Sequence, residues 1–177
     1  MCRINLDELY LDFRNDKMIY HSIKTAFCKL YTNDSYLICN NPIVRNVPEE
    51  LGEHHVGERS IVFRFAHYLQ CELSSSVEYS SYYVDCEYNR NIADIKDVGD
   101  NSKAIYPDLV VHKRGSDANN LLVIEFKAYW NDKTNELEKD INKVKFMKKP
   151  LYNYKYGLVV IIGKTMDKLG IIPVKSL

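Results

Sequence analysis

Hydrophobic positions along the chain change period several times, and each change predicts an element. Leu6, Leu9, Tyr10 and Phe13, then Ile19, Ile23, Phe27 and Leu30, recur at helical spacing over residues 4–31, with Asn15-Asp16 as a break between two helices. Asn33-Asp34, Asn40-Asn41-Pro42 and Pro48 punctuate a stretch read mostly as loop, with a short strand at Tyr36 to Cys39. From Gly57 to Cys71, Ile61, Val62, Phe65 and Leu69 form an apolar helical stripe. Val84 to Asn89 reads as a strand, and Ile92 to Ile105 as a polar loop. Asp108-Leu109-Val110-Val111-His112 and Leu121 to Lys127 then flank a cluster of turn formers, Lys113 to Asn120, which predicts a β-hairpin. Asn131 or Asp132 is placed to cap a helix striped by Leu137, Ile141 and Val144 and ended by Pro150. Tyr156 to Ile162 is almost wholly apolar, as a strand buried on both faces should be, and Lys164 to Leu177 carries no clear signal.

The resulting order is helix, strand, strand, strand, helix, strand. It predicts an α/β fold, an αβββαβ core with a mixed central sheet, behind an N-terminal helical extension. Residues 1–56 form the extension and its loop, and residues 57–177 the core, within one domain overall. The length of 177 residues suits one domain, and a make-up of 46% hydrophobic and 27% charged residues is ordinary for a globular chain.

Charges interrupt the predicted hairpin where apolar strands should carry none. Side chains alternate along a strand, so Glu125 and Lys127 share a face, and Asp108 opens the neighbouring strand. Burying these groups without partners would be costly. Glu58, at the head of the stripe on the first core helix, points towards the core side; an acid in the first turn also suits the helix dipole, and both readings stand. Asp108 can equally be a turn residue after Pro107, and Glu125 with Lys127 an edge-strand charge pair, although the apolar run Leu121 to Ile124 argues for a central strand. Carboxylates brought close repel one another, and a hard divalent cation resolves that repulsion. Acid, acid and lysine beside Mg²⁺ is chemistry suited to phosphodiester hydrolysis.

Pro107-Asp108, followed after a turn by Glu125-x-Lys127, resembles the PD-(D/E)xK nuclease superfamily, the restriction-endonuclease-like fold, over about residues 57–163. The likeness is greatest to small bacterial members, in Glu58-Arg59, Val84 to Arg90 and Pro107 to Gly115. The resemblance implies that Asp108 and Glu125 bind the metal, Mg²⁺ with Mn²⁺ able to substitute, that Lys127 is the catalytic lysine, and that Glu58 is an additional acid that joins the metal residues. Many members carry a second Lys directly after the motif Lys; here that position is Ala128. The implied activity is a metal-dependent nuclease, with DNA favoured over RNA. The alternative is a non-catalytic module that binds nucleic acid or protein on the same fold. Glu87 reads either as a further ligand or as an exposed strand residue.

Formal net charge is zero, so any nucleic-acid surface must be local. From Asn142 to Tyr156 there are five lysines and no acid, alternating at the end with Tyr152, Tyr154 and Tyr156; this reads as a phosphate-binding patch or as a solvated helix face. Lys143, beside the apolar stripe, and Lys145 are its candidate contacts, with Tyr88 and Arg90 at the end of the first core strand. Five cysteines without a CxxC pair, and an N-terminus without a secretory apolar run, point to a reducing, cytoplasmic setting. No apolar run approaches the ~20 residues of a membrane span. So small a domain has little surface for reading a site, and dimerisation through the N-terminal helices is the expected remedy.

Overall fold

The computed structural model describes residues 3–39, 56–91, 94–95, 105–131 and 133–175, without the side chains of Arg90, Asn91, Asp94, Ile95 and Asp117. A 3-10 turn, Glu8–Leu11, precedes helix α1 (Lys17–Asn33), which starts after Asp16, where the sequence places the break. Tyr36 to Cys39 is not a strand: Ser35–Ile38 forms one helical turn, α2, that buries Leu37 and Ile38. A short apolar run fits either period, and packing on the neighbouring helices decides for the helix. Helix α3 (Glu58–Ser74) buries Ile61, Val62, Phe65, Tyr68, Leu69 and Leu73.

Strand β1 (Tyr83–Cys86) is shorter than the predicted Val84 to Asn89, because Glu87 takes a positive φ of 51°, which turns the chain out of the extended region. The polar stretch beyond holds a small hairpin, β2 (Arg90–Asn91) with β3 (Asp94–Ile95). Strands β4 (Leu109–His112) and β5 (Asn120–Ala128) form the predicted antiparallel hairpin, turned through Gly115 at φ 80°. Helix α4 (Thr134–Met147) follows. Its N-cap is Lys133 with no side-chain cap, and Asn131 ends a preceding 3-10 turn instead of capping the helix. Strand β6 (Tyr156–Ile162) pairs parallel with β5, and β7 (Gly170–Pro173) pairs antiparallel with β6. The sequence offered no signal for β7. At the sheet edge a proline costs no interior ladder bond, and Ile4 exchanges backbone hydrogen bonds with Ile171 along that edge.

The chain is therefore α/β, with a five-stranded mixed sheet in the order β1-β4-β5-β6-β7. Alternation along the strands divides the core. Leu109, Val111, Leu122, Ile124, Phe126, Leu158 and Val160 face α1 and α3, in one cluster with Leu9, Phe13, Phe27 and Phe65. Val110, Val123, Val159 and Ile161 face α4, with Val144 and Met147. The N-terminal helices thus share a core with the sheet, and residues 40–55 of the expected extension lie outside the described residues. No helix among the described residues is long and apolar enough to cross a membrane.

Candidate functional site

β4 and β5 run antiparallel with Leu109 opposite Ile124, so the register carries Asp108 to Glu125. Backbone donors tie Asp108 to this stretch of β5. Asp108 N donates to Glu125 Oε1 at 3.3 Å, and Phe126 N donates to Asp108 Oδ2 at 2.7 Å. Glu125 lies on the α4 face of β5, between Val123 and Lys127, and is 1% exposed. Burial, with Asp108 beside it, pushes its carboxyl up to about 8, against the pull of Lys143. Asp108 is also raised by burial, opposed by the Phe126 N–H and Lys143.

Helix α4 answers these acids with a cation and a further acid. Lys143 Nζ lies 2.5 Å from Glu125 Oε2 and donates to Tyr106 O at 3.3 Å. Lys127 Nζ lies 3.1 Å from Asp140 Oδ2 and 3.9 Å from Glu136 Oε2. Burial works against the charge of Lys127, but Asp140, Glu58 and Glu136 outweigh it, and its pKa is raised. Glu58 reaches the same end of β5 from the opposite layer: its Oε2 accepts from Ala128 N at 2.6 Å. Burial raises Glu58, the Ala128 N–H and Lys127 lower it, and Asp108 and Asp140 raise it further.

Asp108, Glu125, Lys127 and Glu58 therefore meet around the end of β5, as the sequence proposes, while Asp140 joins them unannounced. Its signal was there to read: Asp140 sits between Leu137 and Val144 on the inward stripe of α4, where an apolar residue belongs. Lys143, read as a phosphate contact, is engaged with the acid pair. Lys145 is half-buried in the last turn of α4. Tyr88 packs edge-on against His112, ring centroids 4.4 Å apart. The side chain of Arg90 lies outside the described residues. Glu87 turns to Arg59, with Oε1 2.8 Å from Nε, and not towards Asp108 and Glu125.

A second polar unit lies at the β1 edge. Asp85 Oδ2 meets the buried His112 Nε2 at 2.9 Å and Arg114 Nε at 2.8 Å, and the Arg114 guanidinium stacks over Tyr83. The sequence signal for His112 was a polar residue closing an apolar strand.

Among the described residues no three His, Cys, Asp or Glu side chains form a ready-made metal cluster. The donors that do converge, Asp108 and Glu125, are hard oxygen ligands of the kind Mg²⁺ takes in ones and twos beside water and substrate oxygens. Their mutual repulsion fits that ion, while Lys143 already offers Glu125 a competing cation. By fold and site this is an α/β protein with a half-buried acid–lysine cluster at the end of its central strands. The chain matches no family model, no curated protein and no solved structure.

Proposed function

We propose that the chain is a metal-dependent nuclease of restriction-endonuclease-like architecture, with DNA as the favoured substrate. The observation that carries the reading is the placement of Asp108 beside Glu125, where Asp108 N donates to Glu125 Oε1 and Phe126 N donates to Asp108 Oδ2, with Lys127 two residues beyond Glu125 on β5. Hydrolysis forms one P–O bond to a water oxygen and breaks the P–O bond to the leaving sugar oxygen, which takes up a proton. A bound Mg²⁺ or Mn²⁺ would polarise the phosphoryl oxygen and lower the pKa of its water. Asp108 and Glu125 would hold that ion, with Glu58 as the additional acid steadying the end of β5. Lys127, fixed by Asp140, would stabilise charge developing on the phosphate. The free thiols Cys28, Cys39, Cys71 and Cys86 fit a reducing, cytoplasmic setting. A homodimer through the exposed Leu11, Met18 and Tyr36 of the helical region would enlarge the binding surface, and a monomer in sedimentation would remove that element.

One observation favours a second reading, a non-catalytic binding module on the same fold: Lys143 already neutralises Glu125. The test is cleavage of labelled single-stranded, duplex and branched DNA and of RNA, with Mn²⁺ or Mg²⁺, against an EDTA control and the variants Asp108→Asn and Lys127→Met. Metal-dependent cutting lost in both variants supports the nuclease. Cutting that survives in them overturns it. No cutting, with no heat on titrating metal, favours the binding module.

A further inference from the structure

Arg59 and Phe63 stand one turn apart on α3, on the side turned from the core. Their neighbour Val62 is 5% exposed, whereas Phe63 is 65% exposed. Between this side of the helix and the end of β1 is a pocket of about 220 Å³, lined by Arg59, Val62, Phe63, Cys86, Glu87 and Asp108. Asp108 belongs to the acid pair, so the pocket opens directly beside the candidate site.

Its walls are apolar at Val62 and Phe63, with one cation, Arg59, and two carboxylates, Glu87 and Asp108, around them. Burial, with Asp85, Asp108 and Glu87 nearby, pushes the Cys86 thiol up to about 11, so the thiol is uncharged at neutral pH and adds a soft, polarizable wall. Arg59 spends its Nε on Glu87 at 2.8 Å, and its side chain, 89% exposed, leaves the other guanidinium donors facing solvent. The volume falls below the roughly 300–1,000 Å³ of sites that enclose a whole drug-sized ligand. The occupant is thus a single ring system presented by a larger chain. A flat apolar face for the phenyl ring, and a neighbouring anion for the guanidinium, describe a nucleobase on its phosphate backbone. In a duplex both base faces are already stacked, so only an unpaired base can enter.

We propose that this pocket receives an unpaired base stacked on Phe63, with Arg59 on an adjacent phosphate, so that the substrate is single-stranded nucleic acid or a single-stranded segment of a larger one. The proposal rests on the nuclease reading for the phosphodiester held at Asp108 and Glu125. Its test uses binding without metal, so that cutting does not enter. Fluorescence anisotropy in EDTA compares labelled single-stranded DNA, single-stranded RNA and a matched duplex, for the wild type, Phe63→Ala, Phe63→Trp and Arg59→Gln.

The wild type is expected to prefer a single strand to the duplex, and the DNA and RNA arms identify which. Phe63→Ala should weaken single-strand binding roughly tenfold and Phe63→Trp should retain it, with unchanged thermal melting in both because the side chain is exposed. Arg59→Gln should weaken binding and flatten its salt dependence. Single-strand binding unaffected by Phe63→Ala, duplex binding equal to single-strand binding, or no binding of any strand overturns the pocket assignment. If metal-dependent cutting is absent while Phe63-dependent binding persists, the nuclease reading falls and the base pocket stands.

Discussion

Lys143 Nζ sits 2.5 Å from Glu125 Oε2, so the buried acid of β5 and the cation of the helix covering it form one unit. Their side chains are 29% and 2% exposed, which puts most of the cost of a broken pair on Glu125. Removing Lys143 takes from Glu125 the cation in contact with it, and the buried carboxyl must then hold a proton with a hydrogen-bond partner lost. Lys143→Met should therefore destabilise the metal-free protein by about 2 kcal/mol, a value reduced for the partial exposure of the lysine. Glu125→Gln in the same background should recover part of the loss, with a coupling of roughly 1–3 kcal/mol in a double-mutant cycle measured by urea unfolding in EDTA. Additive single effects would show that the contact carries no energy.

Asp140 acts on Lys127 as Lys143 acts on Glu125. It is the nearest acid to that ammonium, at 3.1 Å, with Glu136 at 3.9 Å and closer to solvent. Asp140→Asn keeps the shape and removes the charge that orients the lysine. Under the nuclease reading it should lower kcat by roughly ten- to a hundredfold with KM little changed, as for a positioning residue whose effect appears in the transition state. Asp140→Glu should restore part of the rate. A change confined to KM would instead place Asp140 in substrate binding.

The sequence shows these contacts unevenly. The hairpin of Asp108 and Glu125 is legible because turn formers separate two apolar runs and because strand alternation assigns faces. Strand β6 is legible because full burial leaves an unbroken apolar run. Strand β7 is not, since Gly170-Ile171-Ile172-Pro173 is too short to show a period and owes its state to pairing with β6. The early end of β1 is equally hidden, because the positive φ of Glu87 follows from no residue preference for it. The partners of Lys127 and Lys143 depend on how α4 sits over the sheet, a tertiary fact that helical spacing only hints at through the misplaced Asp140.

Asp85 sets the acid limit of the β1 edge. Burial by itself would raise its pKa, but Arg114 and His112 reverse the effect and hold it well below the usual carboxylate range. A depressed folded-state pKa gives stability that is fully present above the unfolded value of 3.8 and lost as pH falls below it. The wild type should therefore lose stability steadily as the pH drops from about 5 towards 2. Asp85→Asn should be weaker by about 1–3 kcal/mol at pH 7 and show a flatter acid limb in pH-dependent unfolding. An unchanged limb would mean that the ion pairs contribute nothing to folding.

Gly157 fixes how closely α4 approaches the sheet. It lies in β6 opposite Val123 of β5, and a Cβ there would come 2.5 Å from Val144 Cγ1 and 2.9 Å from Lys148 Cδ. Lys148 is flexible and can move aside. Val144 is fully buried and β-branched, so the helix itself must give way. Gly157→Ala should cost about 1–3 kcal/mol in unfolding free energy, as overpacking of a filled core does. Because Val144 follows Lys143 directly and lies one turn beyond Asp140, the same displacement pulls the cation from Glu125 and the acid from Lys127. Any metal-dependent activity should fall with stability in Gly157→Ala, and the double variant Gly157→Ala/Val144→Ala should be less destabilised than the sum of its parts. Strictly additive losses would show that Gly157 does not set the spacing between α4 and the sheet.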